Sequence, residues 1–187
     1  MPRKSDRQAD SEVISASTLG GAAFPEVSMQ VTRRRIAGLH EVAASLGILL
    51  TRSALAHVQE AEARVHRPAG WSWSGFRIMY IIWMFGEVEA RDVARISGVS
   101  RQTTSSVLAT LESKGLVDRQ RTSTQDKRLI AVRLTPEGKT AFEKAFVEQN
   151  ELDSEIFTTL TSEEQLTLQR LLQRVLTQIT ASLSGDD

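Results

Sequence analysis

Hydrogen-bonding side chains cluster near the middle of the chain, where they share one face of a predicted helix. The residues that recur there at three- and four-residue steps, as on the buried face of an α-helix, are Thr104, Val107, Leu108 and Leu111. The opposite face carries polar side chains: Arg101, Gln102, Thr103, Ser106 and Thr110. Such a face could bind base edges in the major groove of DNA, which is wide enough to admit one helix.

The elements around this helix would position that face. A shorter helix with Val93 and Ala94 inward precedes it, and Gly98 supplies the permissive backbone that a tight turn requires. Ser100 stands where an N-cap is expected, and it is also a candidate DNA contact. Gly115 is a C-terminal stop signal. The pattern therefore predicts helix, turn, helix.

Two strand-like runs follow, at residues 116–121 and 128–134, joined by a polar tip at 122–127. A hairpin after a helix-turn-helix is a winged helix-turn-helix. Its arginines could bind phosphates or a narrow minor groove. The alternative is a winged helix that serves as a protein-interaction scaffold without sequence-specific DNA binding.

The charge distribution supports the DNA-binding alternative. The net charge of the chain is zero, but residues 91–139 contain 10 Lys/Arg and 5 Asp/Glu, whereas residues 140–187 contain 3 and 9. The positive excess therefore coincides with the predicted DNA-binding lobe, where contact charges determine affinity for a polyanion.

The flanking segments predict four divisions of the chain. Residues 1–32 are expected to be a disordered extension, and residues 33–70 to form one or two dimerisation helices with a break near Gly47. Residues 71–135 would be the winged helix-turn-helix lobe, and residues 136–187 the C-terminal dimerisation helices. The fold class is thus mainly α with a small β-wing, a winged helix-turn-helix lobe between N- and C-terminal dimerisation helices.

Two helices of that scheme have specific features. The helix at 75–85, with Ser74 as its expected N-cap, is apolar on nearly every side and is predicted to be buried between two layers. The last helix begins with a capping box, Thr161 and Glu164. Its continuous apolar stripe then has nothing obvious to cover it except a second copy: Leu168, Leu171, Leu172, Val175, Leu176, Ile179 and Leu183. A homodimer is therefore predicted.

The ordered set of these pieces resembles the MarR family of bacterial transcriptional regulators over roughly residues 46–183. The matching pieces are Gly75-Phe76-Arg77-Ile78-Met79, Ala90-Arg91-Asp92-Val93-Ala94, 111–119, Asp126-Lys127-Arg128 and 134–138. The resemblance implies a dimer that binds pseudo-palindromic operators, usually as a repressor, and is released by a small aromatic or phenolic ligand. It further implies that Arg128 enters the minor groove, that Asp126 orients it, and that Arg119 steadies the base of the wing, with Lys127 beside them. The alternative for Asp126 and Arg128 is an ordinary surface ion pair.

The resemblance has one departure on the recognition helix. Many members carry arginines where this sequence has Ser106 and Thr110, so a bidentate arginine contact to guanine is not expected at those two positions. Arg101 and Gln102 are the expected substitutes, with hydroxyl contacts from Thr103, Ser105 and Ser106.

The effector pocket implied by the family lies between the dimer helices and the DNA-binding lobe. That position points to Trp71, Trp73, Arg77 and His57, an aromatic wall with one cation that suits an anionic aromatic ligand. The alternative is that both tryptophans belong to the core.

Several other classes of function lack residues to support them. With no cysteine and three dispersed histidines, no metal or other cofactor is expected, and no motif suggests an enzyme. No apolar segment follows the basic start, and the longest apolar run is too short to cross a bilayer. A cytoplasmic protein without a membrane partner is expected.

Overall fold

The computed structural model describes residues 20–121 and 130–184. The helices are α1 (Phe24–Arg35), α2 (Glu41–Ala61), α3 (Trp73–Phe85), α4 (Ala90–Ser97), α5 (Arg101–Ser113), α6 (Pro136–Phe157) and α7 (Ser162–Ser184). The strands are β1 (Glu87–Glu89), β2 (Val117–Arg121) and β3 (Ile130–Leu134). The predicted fold class, mainly α with a small β-wing, is confirmed.

The chain divides into two compact units, Met1–His57 and Val58–Asp187. In the first unit, α1 occupies part of the segment that the sequence predicts to be disordered, so that prediction is wrong from Phe24 to Thr32. Two features of the unit stabilise α1. Met29 is only 6% exposed, and the guanidinium of Arg52 lies 4.7 Å from the ring centroid of Phe24. Residues 1–19 lie outside the described part of the chain.

The break between the first two helices lies at Gly38 and not near Gly47. Gly38 lies in the turn between α1 and α2 and has φ +72°, a left-handed conformation that glycine adopts without steric cost. Gly47 lies inside α2, where glycine costs about 1 kcal/mol relative to alanine and is tolerated among good helix formers.

A π-helical turn over Glu62–His66 continues α2 in the second unit and is tied to α6 by an ion pair. Arg64 Nη2 lies 2.7 Å from Glu155 Oε2, and Arg64 also contacts Glu60 at 3.4 Å. The hydrogen bond from Arg64, followed by the charge of Arg64, lowers the pKa of Glu155. The pair therefore favours the ionised carboxylate at neutral pH.

The N-terminus of α3 is capped by residues upstream of the predicted cap. Ser72, and not Ser74, accepts the hydrogen bond from the backbone N–H of Gly75, at 3.2 Å. A carboxylate oxygen of Glu62 accepts the N–H of Trp73 at 2.9 Å. Both contacts satisfy amides that the first turn of any helix leaves unpaired.

The core of the second unit is built around α3, which packs against α4, α5, β3 and α6. Its fully buried side chains come from each of these elements: Ile78, Met79, Ile82, Val93, Leu108, Leu111, Val132 and Phe142. The prediction that α3 is buried on every side is wrong for its last turn, because Trp83, Met84 and Phe85 are 41–56% exposed. Within this unit α6 covers Trp83 on one side only, where Glu143 accepts its indole N–H.

The sheet has the order β1-β3-β2 and is antiparallel throughout. β2 and β3 are the two predicted strands. β1 was not predicted, because three residues are too few to show a two-residue alternation. It pairs Val88 with Val132, and on the other side of β3 the same Val132 pairs with Arg119.

The junction between β3 and α6 consists of Thr135 alone. Its hydroxyl donates to the carbonyl of Gly115 at 2.7 Å and accepts the N–H of Gly138 at 2.9 Å. Its own N–H donates to the carbonyl of Leu116. Thr135 is therefore the N-cap of α6, and the same residue joins the base of the wing to α6.

The predicted capping box opens α7. Thr161 N–H donates to Glu164 Oε2 at 2.8 Å, and Glu164 N–H donates to Thr161 Oγ1 at 3.3 Å. The apolar stripe that follows is largely exposed: Leu171, Leu172, Val175, Leu176, Ile179 and Leu183. None of the described helices combines the length and apolar character needed to cross a bilayer.

Candidate nucleic-acid interface

The turn between α4 and α5 has the geometry that its sequence predicts. Gly98 adopts φ +63°, ψ +22°, which allows the chain to reverse after α4. Ser100 then caps α5, since its Oγ accepts the N–H of Thr103 at 3.1 Å. Ser100 Oγ also lies 2.8 Å from Thr103 Oγ1. The start of α5 is therefore fixed by its own hydroxyl groups.

α5 has one buried and one exposed face, at the predicted positions. Thr104, Leu108 and Leu111 are buried. The exposed positions include every candidate DNA contact proposed on this helix: Ser100, Arg101, Gln102, Thr103, Ser105, Ser106 and Thr110. In the second half of this face, one hydroxyl group is bonded within the helix: Thr110 Oγ1 donates to the backbone carbonyl of Ser106 at 3.1 Å. The face is thus polar, continuous and open.

Arg119 on β2 is bound to α5. Its Nε lies 3.1 Å from Glu112 Oε2, and its Nη2 donates to the backbone carbonyl of Ser105 at 3.5 Å. Only 22% of its side chain is exposed. Across the hairpin, Arg133 contacts Asp118 at 2.9 Å. Arg119 therefore holds the base of the wing against the polar helix.

The tip of the wing was predicted to contain Asp126, Lys127 and Arg128. All three lie outside the described residues. The described part of the hairpin consists of β2 and β3, which pair antiparallel, and β2 contacts α5.

Arg77 has a different environment from the one that the sequence suggests. Its guanidinium donates to the backbone carbonyl of Ser97, the last residue of α4. A Cβ at Gly98 would lie 3.4 Å from the same Nη2. Arg77 thus supports the turn between α4 and α5, whereas the sequence suggested a cation in an effector pocket.

The other effector candidates are distributed as follows. Trp71 is 8% exposed and lines a groove beside α5 that neither Trp73 nor Arg77 lines. Trp73 is half-buried and packs against His66, with centroids 5.3 Å apart. His57 is half-buried on α2, in the first unit. Trp71 and Trp73 therefore lie in different surroundings, and the two tryptophans do not form one wall.

Sequence reasoning missed the side chains on the other side of that groove. Lys114, just after α5, donates to the carbonyl of Gly70 and so connects the end of the helix to the loop before α3. Arg67 also lines the groove. One signal was available: Lys114 stands four residues after Thr110, and hence on the same helical face. In residues 20–121 and 130–184, no group of three His, Asp or Glu side chains is placed to hold a metal ion.

A helix-turn-helix with an open polar second helix and a two-stranded wing defines a winged-helix DNA-binding protein. The MarR family model matches residues 71–130. A Bacillus subtilis (strain 168) relative, the HTH-type transcriptional regulator YwaE, is 35% identical over 140 residues, which is 75% of this chain and 81% of that protein. The chain belongs to the MarR family, and it is a transcriptional regulator rather than an enzyme.

Solved structures agree with this assignment. A mutant MarR from E. coli matches with a TM-score of 0.62 and 25% identity, over 70% of this chain and 96% of that one. The same mutant also matches in its complex with operator DNA, with a TM-score of 0.64 at 24% identity. NadR in complex with 4-hydroxyphenylacetate matches with a TM-score of 0.52 and 26% identity, over 70% of this chain and 89% of that one.

Proposed function

We propose that this regulator is a homodimeric repressor that binds a pseudo-palindromic operator and is released by a small aromatic or phenolic ligand. One observation carries the DNA-binding part: the polar face of α5 is exposed along its length while the helix is held from behind by its buried residues. An exposed polar helix on a rigid support is what reading of base edges in the major groove requires.

The N-terminal turn of α5 would do most of the reading. Arg101 and Gln102 are the long side chains there, and the pairings that geometry favours are arginine with guanine and glutamine with adenine. The hydroxyl groups of Thr103, Ser105, Ser106 and Thr110, together with Ser100 at the cap, would add contacts to bases or phosphates. With no arginine at positions 106 and 110, sequence preference would rest mainly on the first turn.

The wing would supply contacts outside the major groove. Arg128 would enter the minor groove, Asp126 would orient it and Lys127 would contact a phosphate. Arg119 would act from the base, because its guanidinium is engaged by Glu112 and the Ser105 carbonyl. In this arrangement the position of the wing is set by the recognition helix itself.

A second copy would cover the exposed apolar side chains of the terminal helices. On α7 they form the stripe named above, and on α2 Leu46, Leu50 and Leu55 are between 41% and 61% exposed. Apolar surface of this extent usually marks an interface. Two-fold symmetry would then place the two α5 helices on half-sites about 34–36 Å apart, one turn of DNA.

The ligand-responsive part rests on family membership and on NadR, whose structure contains 4-hydroxyphenylacetate. A ligand shifts such a regulator only if it binds the DNA-incompetent state more tightly than the competent one. The class proposed for this chain is a small aromatic acid or phenol.

The first test is fluorescence anisotropy on labelled DNA from directly upstream of the coding sequence, with scrambled DNA of the same length, at about 0.15 M salt. We expect a preference of roughly 10³-fold or more for the upstream DNA. Equal affinity for the two DNAs would contradict the operator proposal for this site and favour the scaffold alternative. Sedimentation at the same salt concentration tests the dimer, and a monomer at micromolar concentration would contradict it.

A further inference from the structure

Two cationic side chains that the sequence did not single out as DNA contacts, Arg67 and Lys114, line an open groove of about 450 Å³. We call it the α5 groove, because it lies between α5 and the loop that leads into α3. Both side chains are exposed, and none of the described residues that line the groove is acidic. An open surface with this charge favours an anionic partner.

The π-helical turn fixes the backbone of Arg67 and leaves its side chain open. The N–H of Arg67 donates to the carbonyl of Glu62 at 2.9 Å, a five-residue step that is the hydrogen bond of a π-helix. The side chain of Arg67 is 73% exposed, and its Nη2 lies 3.7 Å from a carboxylate oxygen of Glu62, which is too far for a strong hydrogen bond. Single π-helical turns occur frequently at functional sites. The guanidinium can therefore bind another anion.

Lys114 is held on the α5 side of the groove by a backbone carbonyl. Its ammonium donates to the carbonyl of Gly70, in the same loop that follows Arg67. An ammonium has three N–H donors, so this contact leaves two for an anion. Because the contact already restricts the side chain, less conformational entropy is lost when an anion binds. Lys114 is thus prepared for a second partner.

A row of exposed side chains connects Lys114 to the polar face of α5. Ser106, Thr110 and Lys114 follow one another at four-residue steps, about 6 Å apart along the helix axis, and all three line the groove. The first turn of α5 is the part proposed to bind base edges. The row therefore leads away from the bases toward the phosphates that border the major groove.

We infer that Arg67 and Lys114 form a clamp for the phosphate backbone of DNA, in addition to the contacts proposed for α5 and the wing. DNA is favoured over a small anion because the groove is open and continues into the exposed polar face of α5. Phosphate contacts fix the position of a protein on the duplex and carry no sequence information directly. The inference rests on the proposed function for its partner, and it adds two contact residues and the group on DNA that they bind.

The salt dependence of DNA binding tests the clamp. Anisotropy is measured with the full-length protein on the upstream and the scrambled DNA, between about 0.05 and 0.2 M salt. Arg67→Gln and Lys114→Gln should each weaken binding to both DNAs about five- to tenfold and reduce the salt slope of log K by about 1 per bound protomer. Arg67→Lys and Lys114→Arg keep the charge and should keep the slope. The ratio of the two affinities should change by less than about twofold in all four variants, because the clamp contacts no base.

The matched control is Lys144→Gln, since Lys144 is an exposed lysine on α6 that lies 3.8 Å from Glu148. Its slope should equal that of the unmodified protein. An unchanged slope in Arg67→Gln or in Lys114→Gln would overturn the clamp, because the loss of a purely structural contact releases no fewer counterions. Where Lys114→Gln does not fold, Arg67→Gln decides alone, since the ion pair of Arg67 among the described residues is the 3.7 Å contact with Glu62.

Neutral phosphates identify the group that is bound. Upstream duplexes carry a methylphosphonate at one position each, and binding is compared between the unmodified protein and the double variant Arg67→Gln/Lys114→Gln. At the clamped position, neutralisation should weaken the unmodified protein about fivefold and the double variant by less than about twofold. If no position shows this difference, the backbone assignment is wrong.

The outcomes separate the clamp from the operator proposal. Equal affinity for upstream and scrambled DNA, with reduced slopes in the two glutamine variants, would contradict the operator and support the clamp. A strong preference for upstream DNA with unchanged slopes would support the operator and overturn the clamp. Binding to neither DNA would overturn both.

Discussion

Arg77 of α3 donates a hydrogen bond to the backbone carbonyl of Ser97, at the end of α4. The contact joins the central helix of the lobe to the turn that aims the polar helix. A carbonyl at a helix C-terminus has no partner within its own helix and carries partial negative charge, so a guanidinium is well suited to it. The orientation of α5 therefore depends in part on Arg77, a residue of α3 that is not among the proposed DNA contacts.

Removal of this contact should loosen the turn. We expect Arg77→Met to lower the free energy of unfolding by about 2 kcal/mol, the usual range for a hydrogen bond to a charged group. Arg77→Lys should lose less, because an ammonium can still donate. Urea denaturation measures both, and anisotropy should show weaker operator binding for the methionine variant. A methionine variant as stable as the unmodified protein would show that the contact contributes nothing.

Ser100 and Ser106 provide a matched pair on the same helix. Ser100→Ala removes the N-cap and should cost about 1 kcal/mol of stability. Ser106→Ala changes an exposed mid-helix position and should alter stability by less than about 0.5 kcal/mol. Both should weaken operator binding. If Ser106→Ala destabilised the protein in urea and Ser100→Ala did not, the assignment of Ser100 as the structural cap and Ser106 as an exposed contact residue would be wrong.

Arg128→Ala should weaken binding to the operator and reduce the salt slope of log K by about 1, because one phosphate-neutralising charge is lost. Lys144→Ala on α6 is the control and should leave the slope unchanged. Anisotropy at several salt concentrations gives both slopes. An unchanged slope and affinity for Arg128→Ala would remove Arg128 from the DNA interface.

The Arg64–Glu155 pair should make stability depend on pH in the acid range. The folded pKa of Glu155 lies below its ordinary value of 4.5, mainly because of the hydrogen bond from Arg64. Because the pKa of Glu155 is lower in the folded state, the pair stabilises the fold above pH 4.5. This stabilisation is lost as the pH falls through the folded-state pKa. Glu155→Gln should therefore be less stable than the unmodified protein at pH 7, with the difference shrinking below about pH 4.5.

The control for that experiment is Glu151→Gln, an exposed glutamate one turn earlier on α6. The difference in the free energy of unfolding between Glu151→Gln and the unmodified protein should not show the same dependence on pH. A Glu155→Gln difference that stays constant from pH 7 to pH 3.5 would contradict the linkage.

Two glycines should respond to alanine in opposite directions. A Cβ at Gly138 would lie 2.7 Å from the backbone carbonyl carbon of Leu116 and closer still to its oxygen, so Gly138→Ala requires the backbone to move. We expect a loss of roughly 3 kcal/mol or more. At Gly47 nothing lies within 4 Å, and Gly47→Ala should stabilise α2 by up to about 1 kcal/mol. Melting temperatures that shift in the same direction would contradict this account.

Local rules made much of the lobe predictable. Ser100 and the Thr161–Glu164 box are caps that depend on one residue and its next turn, and both occur as the sequence predicts. The two faces of α5 follow from its period alone. These features are determined within a few residues of chain, which is the range over which sequence patterns carry information.

Contacts between distant residues were not predictable in the same way. Ser72 caps α3 in place of Ser74, with help from Glu62 ten residues earlier. The sequence made Arg77 a candidate cation for ligand binding, but in the tertiary fold its guanidinium donates to the backbone carbonyl of Ser97. Strand β1 exists because β3 offers an edge for pairing, and nothing in a three-residue run reveals such a partner.

The single-residue joint at Thr135 has a mechanical consequence. With Thr135 as the only residue between β3 and α6, and with Gly138 in close contact with Leu116, we expect the start of α6 to rotate together with β3. A helix of 22 residues is about 33 Å long, so a tilt of about 5° at its foot displaces its far end by about 3 Å. A small rotation of β3 should therefore be magnified into a larger displacement at the C-terminal end of α6.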